Sequence, residues 1–514
     1  MPIRCQPQNY LFVLSLRTKF QKLVNTMPQS KKLRINKPIP NIDPEQAVQA
    51  EVAELYRQGL EFHNQGKLRQ ASNCYAAMLD KSPEHFGGIH MLGVVVDQMG
   101  NPALAAQLIS KAISINPSDP SAHYNLGGAQ KQLKQFEAAL VSFNNAISLD
   151  RKYAAAHFNR GYILAVLMNL DDALLSYDKA LDLNPELLDA NWNKSHIFLL
   201  QGDFKRGWKF FESGWDNRRR GNKRNFTPPL WQGAESLAGK SILLHAEQGL
   251  GDTIQFCRYA RLVSGLGAKV FLEVPKALLK TLVGLEGVSE FFEEGKQLPA
   301  FDYHCPLLSL PFAFKTELGT IPCSSPYLRA EASKLGYWQA RLCNIRGFRV
   351  GVVWSGGFRP DQPELWDLNE RRNIPLQIFS QGLQGLNVNF FSLQKGELSE
   401  SEIHSRELKY WPRGNFFNFS DELKDFSDTA ALIANLDLVI SVDTSTAHLA
   451  AALGKPTWIL NRFDTCWRWL LDRNDSPWYD SVRLYRQGSD WQWSPVLQQV
   501  SGDLSKIANV QTNS

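Results

Sequence analysis

The sequence predicts an α-solenoid followed by an α/β region of two parallel-sheet lobes. Three observations carry that expectation: a 34-residue period in the first part of the chain, apolar strands alternating with helices in the second, and glycine- and hydroxyl-rich turns closing several of those strands. At 514 residues the chain exceeds what one core organises and fits roughly three domains. Apolar residues make up 44% and charged residues 21%, as in globular proteins. A net charge of +5 is too small to make nucleic acid a general partner. The seven cysteines are scattered and contain no Cys-x-x-Cys pair, which reads as reduced thiols and excludes a disulfide frame or zinc site. No apolar run reaches the roughly 18 residues of a membrane helix. The early "NYLFVLSL" is too short for a signal peptide and no small-residue cleavage site follows it, so no integral membrane segment and a cytoplasmic location are expected.

The first segment, 1–45, carries basic residues and no acid until its end, and is expected to be a disordered arm; Met27 is an alternative start. The period then begins. Gly59, Gly93, Gly127 and Gly161 are 34 apart, and so are Ala71, Ala105, Ala139 and Ala173; Tyr75, Ile109, Phe143 and Tyr177 follow at fixed offsets. Pro83, Pro117 and Pro185 close three units and Arg151 takes that place in the third. This pattern resembles the tetratricopeptide repeat. Small residues let the paired helices approach, the large residue is expected to wedge into the next unit, and proline stops the second helix. About four full repeats and a capping unit retaining Gly202 and Phe211 occupy 46–220. Such an array is a binding surface for a protein, peptide or glycan. Asn125, Asn159 and Asn193 recur at one helical position: either they grip an extended peptide or they are repeat-consensus polar residues.

Beyond the basic "RRRGNKR", two βα series follow. The first, over 221–335, holds "SILLHA", the helix "DTIQFCRYARLVSGLG", "KVFLEV" and "FDYHCPLLSLPFAF"; the second, over 346–490, holds "FRVGVVW", "NVNFFSL", "LVISV" and "TWIL". Buried strands alternating with helices imply parallel sheets, hence two Rossmann-like lobes with ligand at the carboxyl ends of the strands. A final amphipathic helix and tail, 491–514, is expected to brace the lobes.

At those strand ends lie the candidate residues. "HAEQGLGDTIQF" places Gly249 and Gly251, which allow close backbone approach, before Asp252 and Thr253 at a helix start. Asp252 is either an N-cap or a carboxylate poised to accept a proton from a hydroxyl nucleophile. His245 and Glu247 lead into the same turn and either orient a substrate or serve the core and the solvated loop. In the second lobe Trp354, Ser355 and Gly356 follow one strand, Gln394 and Lys395 another, and Asp443, Thr444, Ser445 and His448 a third. Glycines, hydroxyls and a lysine at adjacent strand ends suit a diphosphate, held by amides, a helix N-terminus and Lys395, with Arg371 and Arg372 of "NERRNIP" offering a second cation from a loop. Asp443 is expected to fix that turn, by capping its helix or by accepting hydrogen bonds from Lys395 or an amide. Trp467, Trp469, Trp478 and Tyr479 either stack on a base or sugar or pack in the core.

"DTSTAHLAAALGKPTWIL" and "GLGDTIQF" resemble motifs of the bacterial lipopolysaccharide heptosyltransferases, and the resemblance spans roughly 235–485. It implies a GT-B arrangement and an inverting, metal-independent glycosyltransferase with a nucleotide-diphosphate sugar as donor substrate and no further cofactor. It makes Asp252 the base and puts Asp443, Thr444 and His448 around the donor diphosphate. The chain lacks any Asp-x-Asp pair, in keeping with that implication. It departs from the family in its repeats and in offering only Arg359 where a phosphate-binding lysine is expected. The repeats joined to such lobes also resemble, more distantly, the protein O-linked N-acetylglucosamine transferases. Two rival readings are a non-catalytic repeat scaffold with a degenerate transferase fold and a different nucleotide-sugar enzyme such as an epimerase.

Overall fold

A computed structural model describes residues 43–512 except 222, 324, 358–365, 397–398, 401, 404–410 and 412–414. The basic arm, the start at Met27 and Arg359 lie outside the described residues. The chain divides into two compact units, Met1–Leu183 and Asn184–Ser514.

The first unit is a helical solenoid. Its paired helices are α1 (Pro44–Asn64) with α2 (Leu68–Lys81), α3 (Phe86–Gln98) with α4 (Pro102–Ile115), α5 (Pro120–Gln132) with α6 (Phe136–Leu149), and α7 (Ala154–Val166) with α8 (Leu170–Leu183). The repeat glycines explain the pairing. A Cβ at Gly127 would lie 2.7 Å from the Phe143 ring, and one at Gly59 only 2.5 Å from Tyr75. The large residue therefore sits over the glycine of its own repeat, where the sequence suggested a wedge into the next unit; Tyr75 also shares a core with Ile89 and Leu92 of that next unit. Asn101 and Asp119 cap α4 and α5 with side-chain oxygens. The asparagine positions are tied between repeats: Asn125 Nδ2 lies 2.9 Å from His90 Nε2, and Asn159 donates to the Tyr124 hydroxyl and accepts from Lys131.

The second unit begins with the fifth helical pair, α9 (Leu188–Leu200) and α10 (Phe204–Glu212), and continues into two sheets. The first sheet contains β1 (Ser241–His245), β2 (Lys269–Val274), β3 (Glu290–Glu293) and β4 (Tyr303–Pro306) in the order β3-β2-β1-β4, all parallel. The helix expected from Asp252 onward is broken: α11 (Leu250–Phe256) and α12 (Ala260–Gly265) are separated by a 3-10 turn at Cys257–Tyr259. Next come α13 (Lys276–Leu282), the short α14 (Leu310–Ala313) and α15 (Ala332–Leu342). The second sheet contains β5 (Arg349–Val353), β6 (Asn389–Ser392), β7 (Phe416–Asn418), β8 (Leu438–Val442), β9 (Thr457–Asn461) and β10 (Val482–Arg486). Its order, β10-β9-β8-β5-β6-β7, is that of a doubly wound nucleotide-binding sheet, with the order reversing between β5 and β8. Around it lie α16 (Trp366–Arg372), α17 (Leu376–Leu383), α18 (Phe426–Ala434) and α19 (Ser445–Ala452).

The apolar strands β8 and β9 are buried at every residue, as strands covered on both faces must be. The final helix α20 (Ser494–Thr512) packs Leu497 against Gly382 of α17, and Val496, Val500 and Leu504 join the core of the second sheet. It thus covers that lobe, where the sequence suggested a brace across both.

Candidate functional site

The helices α11 and α19, which follow β1 and β8, pack against one another at their starts. The register places Val353 of β5 beside Ser441 of β8, so the Trp354–Gly357 turn and the Asp443–Ser445 turn leave the sheet side by side at the reversal of strand order. This is where doubly wound sheets take ligands. Gln394, at the end of β6, holds the first turn: its Oε1 accepts from the amides of Trp354 (3.2 Å) and Ser355 (3.1 Å), and its Nε2 donates to the Ser355 carbonyl. Gly356 donates its amide to Asn373 Oδ1, and a Cβ there would run into the Arg372 guanidinium.

Arg372 reaches across and donates to the Asp443 carbonyl at 2.8 Å. His448 Nε2 lies 3.7 Å from Asp443 Oδ1, while its Nδ1 lies 2.9 Å from the Tyr479 hydroxyl and Trp469 stacks on its ring. Burial pushes the Asp443 carboxyl up, but His448, Arg372 and Arg468 outweigh it and hold the group well below the usual carboxylate range. Thr444 and Ser445 start α19 and remain partly exposed; the Thr444 hydroxyl meets Ser441 Oγ at 3.0 Å and leaves the helix-start amides uncapped by its side chain. Those amides, with the helix dipole, favour an anion.

From the first lobe comes Asp252. Gly249 N–H donates to its Oδ2 at 2.9 Å, closing the start of α11. Its Oδ1 accepts from Arg468, a residue of the second lobe. Gly251 makes this meeting geometrically possible: a Cβ there would lie 2.9 Å from His448 Cδ2 and 3.4 Å from the Ser445 Cα. The N-cap of α11 is Gly249, so Asp252 is not the N-cap that one reading of the sequence made it; it sits at the third helical position, its carboxylate closing back on the Gly249 amide and facing the other lobe. Arg258 clamps the same junction, donating to the Pro322 and Trp478 carbonyls and the Tyr327 hydroxyl.

Other sequence candidates fall elsewhere. Lys395 donates to the Ser420 carbonyl at 3.0 Å and pairs with Glu400 at 3.2 Å, bridging the ends of β6 and β7 rather than bonding Asp443. Arg371 is buried in ion pairs with Asp367 and Asp464, and its neighbour Arg372 is the cation at the Asp443 turn. His245 lies under the site against Phe226 and His304, with burial pushing it down to about 3. Thr253 is buried, its hydroxyl bonded back to the Gly249 carbonyl. Glu247 pairs with the fully buried Arg220, which also meets Glu212 of α10 and Ser309. Burial pushes the Glu247 carboxyl up to about 7 against the pull of Arg220. Trp467, Trp469, Trp478 and Tyr479 are all core residues; Trp208 of α10 packs edge-on against Trp467 at 5.3 Å.

Residues the sequence did not single out are Arg468, Arg220 and Glu212. A signal for Arg468 was present: a cation between two tryptophans, in the turn that follows an all-buried strand, has little reason to be there without an anionic partner.

Comparisons with known proteins agree with this anatomy. Residues 383–460, from the end of α17 through β9, match the model of Glycosyltransferase family 9 (heptosyltransferase). Tetratricopeptide repeat models match 56–120, 90–147, 129–166 and 154–187. The chain therefore joins tetratricopeptide repeats to a segment of glycosyltransferase family 9 type. Protein FlbA of Caulobacter vibrioides is 26% identical over 335 residues, covering 61% of this chain and 54% of FlbA, so the chain spans about half the length of that relative. Among solved structures, MamA (22% identity, TM-score 0.30) is matched over 32% of this chain and 95% of its own. YrrB, described as a TPR protein with an unusual peptide-binding site, is matched at 19% identity and TM-score 0.30 over 34% of this chain and 92% of its own.

Proposed function

We propose that the chain is an inverting, metal-independent glycosyltransferase that moves a sugar from a nucleotide-diphosphate donor to an acceptor recruited by the repeats. The observation that carries this reading is the contact between the starts of α11 and α19: Gly251 lies against Ser445 and His448, and the adjacent Asp252 carboxylate pairs with Arg468 of the other lobe. The second lobe would hold the diphosphate on the amides of α19 and on arginines. Of the cations the sequence offered, Arg372 keeps the role, and Arg468 joins it in place of Lys395 and Arg371, because Arg372 and Arg468 reach the α19 turn and its facing carboxylate.

The chemistry follows from those positions. The acceptor oxygen forms a bond to the anomeric carbon as its proton passes to Asp252. The bond from that carbon to the diphosphate oxygen breaks, and its electron pair leaves with the diphosphate. Helix-start amides and guanidinium groups stabilise the charge developing there without reorganising, which is the usual source of rate in such a step. Asp443 holds the turn in shape through His448 and Arg372 rather than meeting phosphate.

A thermal-shift panel of nucleotide sugars tests the reading, since a ligand that binds only the folded chain raises the melting temperature by mass action. One nucleotide sugar is expected to stabilise the protein. Asp252→Asn should still show a shift, no smaller than the parent's, while lowering acceptor-dependent release of nucleoside diphosphate by about 100-fold or more, the range of a lost general base. Failure of every nucleotide sugar to shift the transition contradicts the proposal.

A further inference from the structure

We infer that Arg468 is a ligand of the donor diphosphate and that Asp252 holds it until the donor binds, so that the carboxylate is released to the acceptor only after the diphosphate has taken the guanidinium. This rests on the glycosyl-transfer reading and adds to it an order of events: donor first, acceptor second.

Among the described residues Arg468 has one hydrogen-bonded carboxylate, Asp252, two weaker hydrogen-bond contacts and the nearby charge of Asp443. Arg468 rises from the turn after β9, donates to Asp252 Oδ1, and places its Nε 2.6 Å from Gln255 Oε1 and its Nη1 3.3 Å from Cys466 Sγ. Its guanidinium lies over the Trp467 ring, 4.2 Å from the centroid, a stacked position that leaves the N–H edges of the planar fork available to oxygen acceptors. The Asp252 and Arg468 side chains are 20% and 11% exposed, so a ligand entering from the α19 turn meets both.

The pair competes with the chemistry assigned to Asp252. Gly249 N–H engages Oδ2 and Arg468 engages Oδ1, so one acceptor site on each oxygen is already taken before an acceptor hydroxyl arrives. The same pair stands beside the anion site. Gly251, next to Asp252, is in contact with Ser445, the first residue of α19, and Trp469, next to Arg468, stacks on His448. A diphosphate seated on the α19 amides is a stronger partner for a guanidinium than one carboxylate, because it offers more charge and several oxygens matched to the fork. When the guanidinium turns to it, Asp252 is left beside a new negative charge and without its cation, with Oδ1 open to an acceptor hydroxyl.

Competition between Asp252 and a diphosphate for one arginine has a thermodynamic signature that a merely structural ion pair lacks. Calorimetric titration with ADP, CDP, GDP and UDP is carried out on the full chain, on Asp252→Asn, on Arg468→Gln and on the double variant. For the nucleotide that binds the parent protein, Asp252→Asn should tighten binding about tenfold, and Arg468→Gln should weaken it by about tenfold or more, as expected for close charge pairs. In the Arg468→Gln background the gain from Asp252→Asn should vanish, since coupled residues fail to add. Should Arg468→Gln not fold, Asp252→Asn alone decides, and Arg468→Lys should give a smaller loss because it keeps the charge without the fork. Unchanged or weaker binding in Asp252→Asn, or tightening that persists without Arg468, overturns this inference and leaves glycosyl transfer standing. If none of the four nucleotides binds the parent protein, the reading of the site fails and the inference fails with it.

Discussion

Glu247 shows how a single carboxyl reports on its surroundings. It shares Arg220 with Glu212, so one guanidinium faces two acids, and burial raises the Glu247 carboxyl from 4.5 to about 7. A group whose pKa is raised by folding contributes its stability fully below the unfolded value and loses it as pH rises through the folded one. Between pH 5 and 8 the parent chain should therefore lose stability relative to Glu247→Gln, by at most about 3 kcal/mol. Urea unfolding of both proteins at the two pH values measures this difference, and parallel pH profiles contradict it. At this scale the sequence was informative wherever a strand end carried the residue. Asp252, Asp443 and His448 could be picked out because strand, turn and helix are contiguous. Arg220 and Glu212 could not, because they meet Glu247, Ser309 and each other through the fold, and Arg468 left only the signal of a cation between two tryptophans, with no pattern pointing to Asp252.

Helix packing sets the next constraint. The starts of α11 and α19 touch because residue 251 is glycine, and the close approach places Asp252 at the second lobe. Gly251→Val should push the two helices apart, costing about 1–3 kcal/mol of stability as overpacked contacts do, and should weaken nucleotide binding in parallel. Denaturant midpoints and a nucleotide titration check both effects; a stable variant with unchanged affinity contradicts the role given to this contact. The solenoid offers the same test away from the site. Gly127→Val should clash with Phe143 and lower the melting temperature without touching nucleotide affinity, since the contact lies in the other compact unit. The helices of the repeats and the long apolar strands were legible from their periods. The strands β3, β7 and β10 were not, because polar residues interrupt their apolar runs, Glu290 and Glu293 in β3, Asn418 in β7, Arg483 and Arg486 in β10, and leave them part-exposed. The break at Cys257–Tyr259 was equally hidden, since nothing in "DTIQFCRYARL" disfavours a continuous helix.

For the whole molecule, two kinds of architecture share one chain. The solenoid is a surface built from local contacts, whereas the α/β unit places residues distant in sequence on one site. The fifth helical pair lies in the compact unit of the sheets, and Trp208 and Glu212 tie it to Trp467 and to Arg220, which pairs with Glu247 after β1. The central claim is that the turn starting α19 holds the diphosphate of a glycosyl donor with Asp252 opposite. A crystal structure of the chain with its stabilising nucleoside diphosphate tests this most directly. The phosphate oxygens should sit on the amides of the Thr444–Thr446 turn, within hydrogen-bonding distance of the Arg372 and Arg468 guanidinium groups. A nucleotide bound anywhere else, or a Thr444 turn covered by protein side chains, contradicts the account.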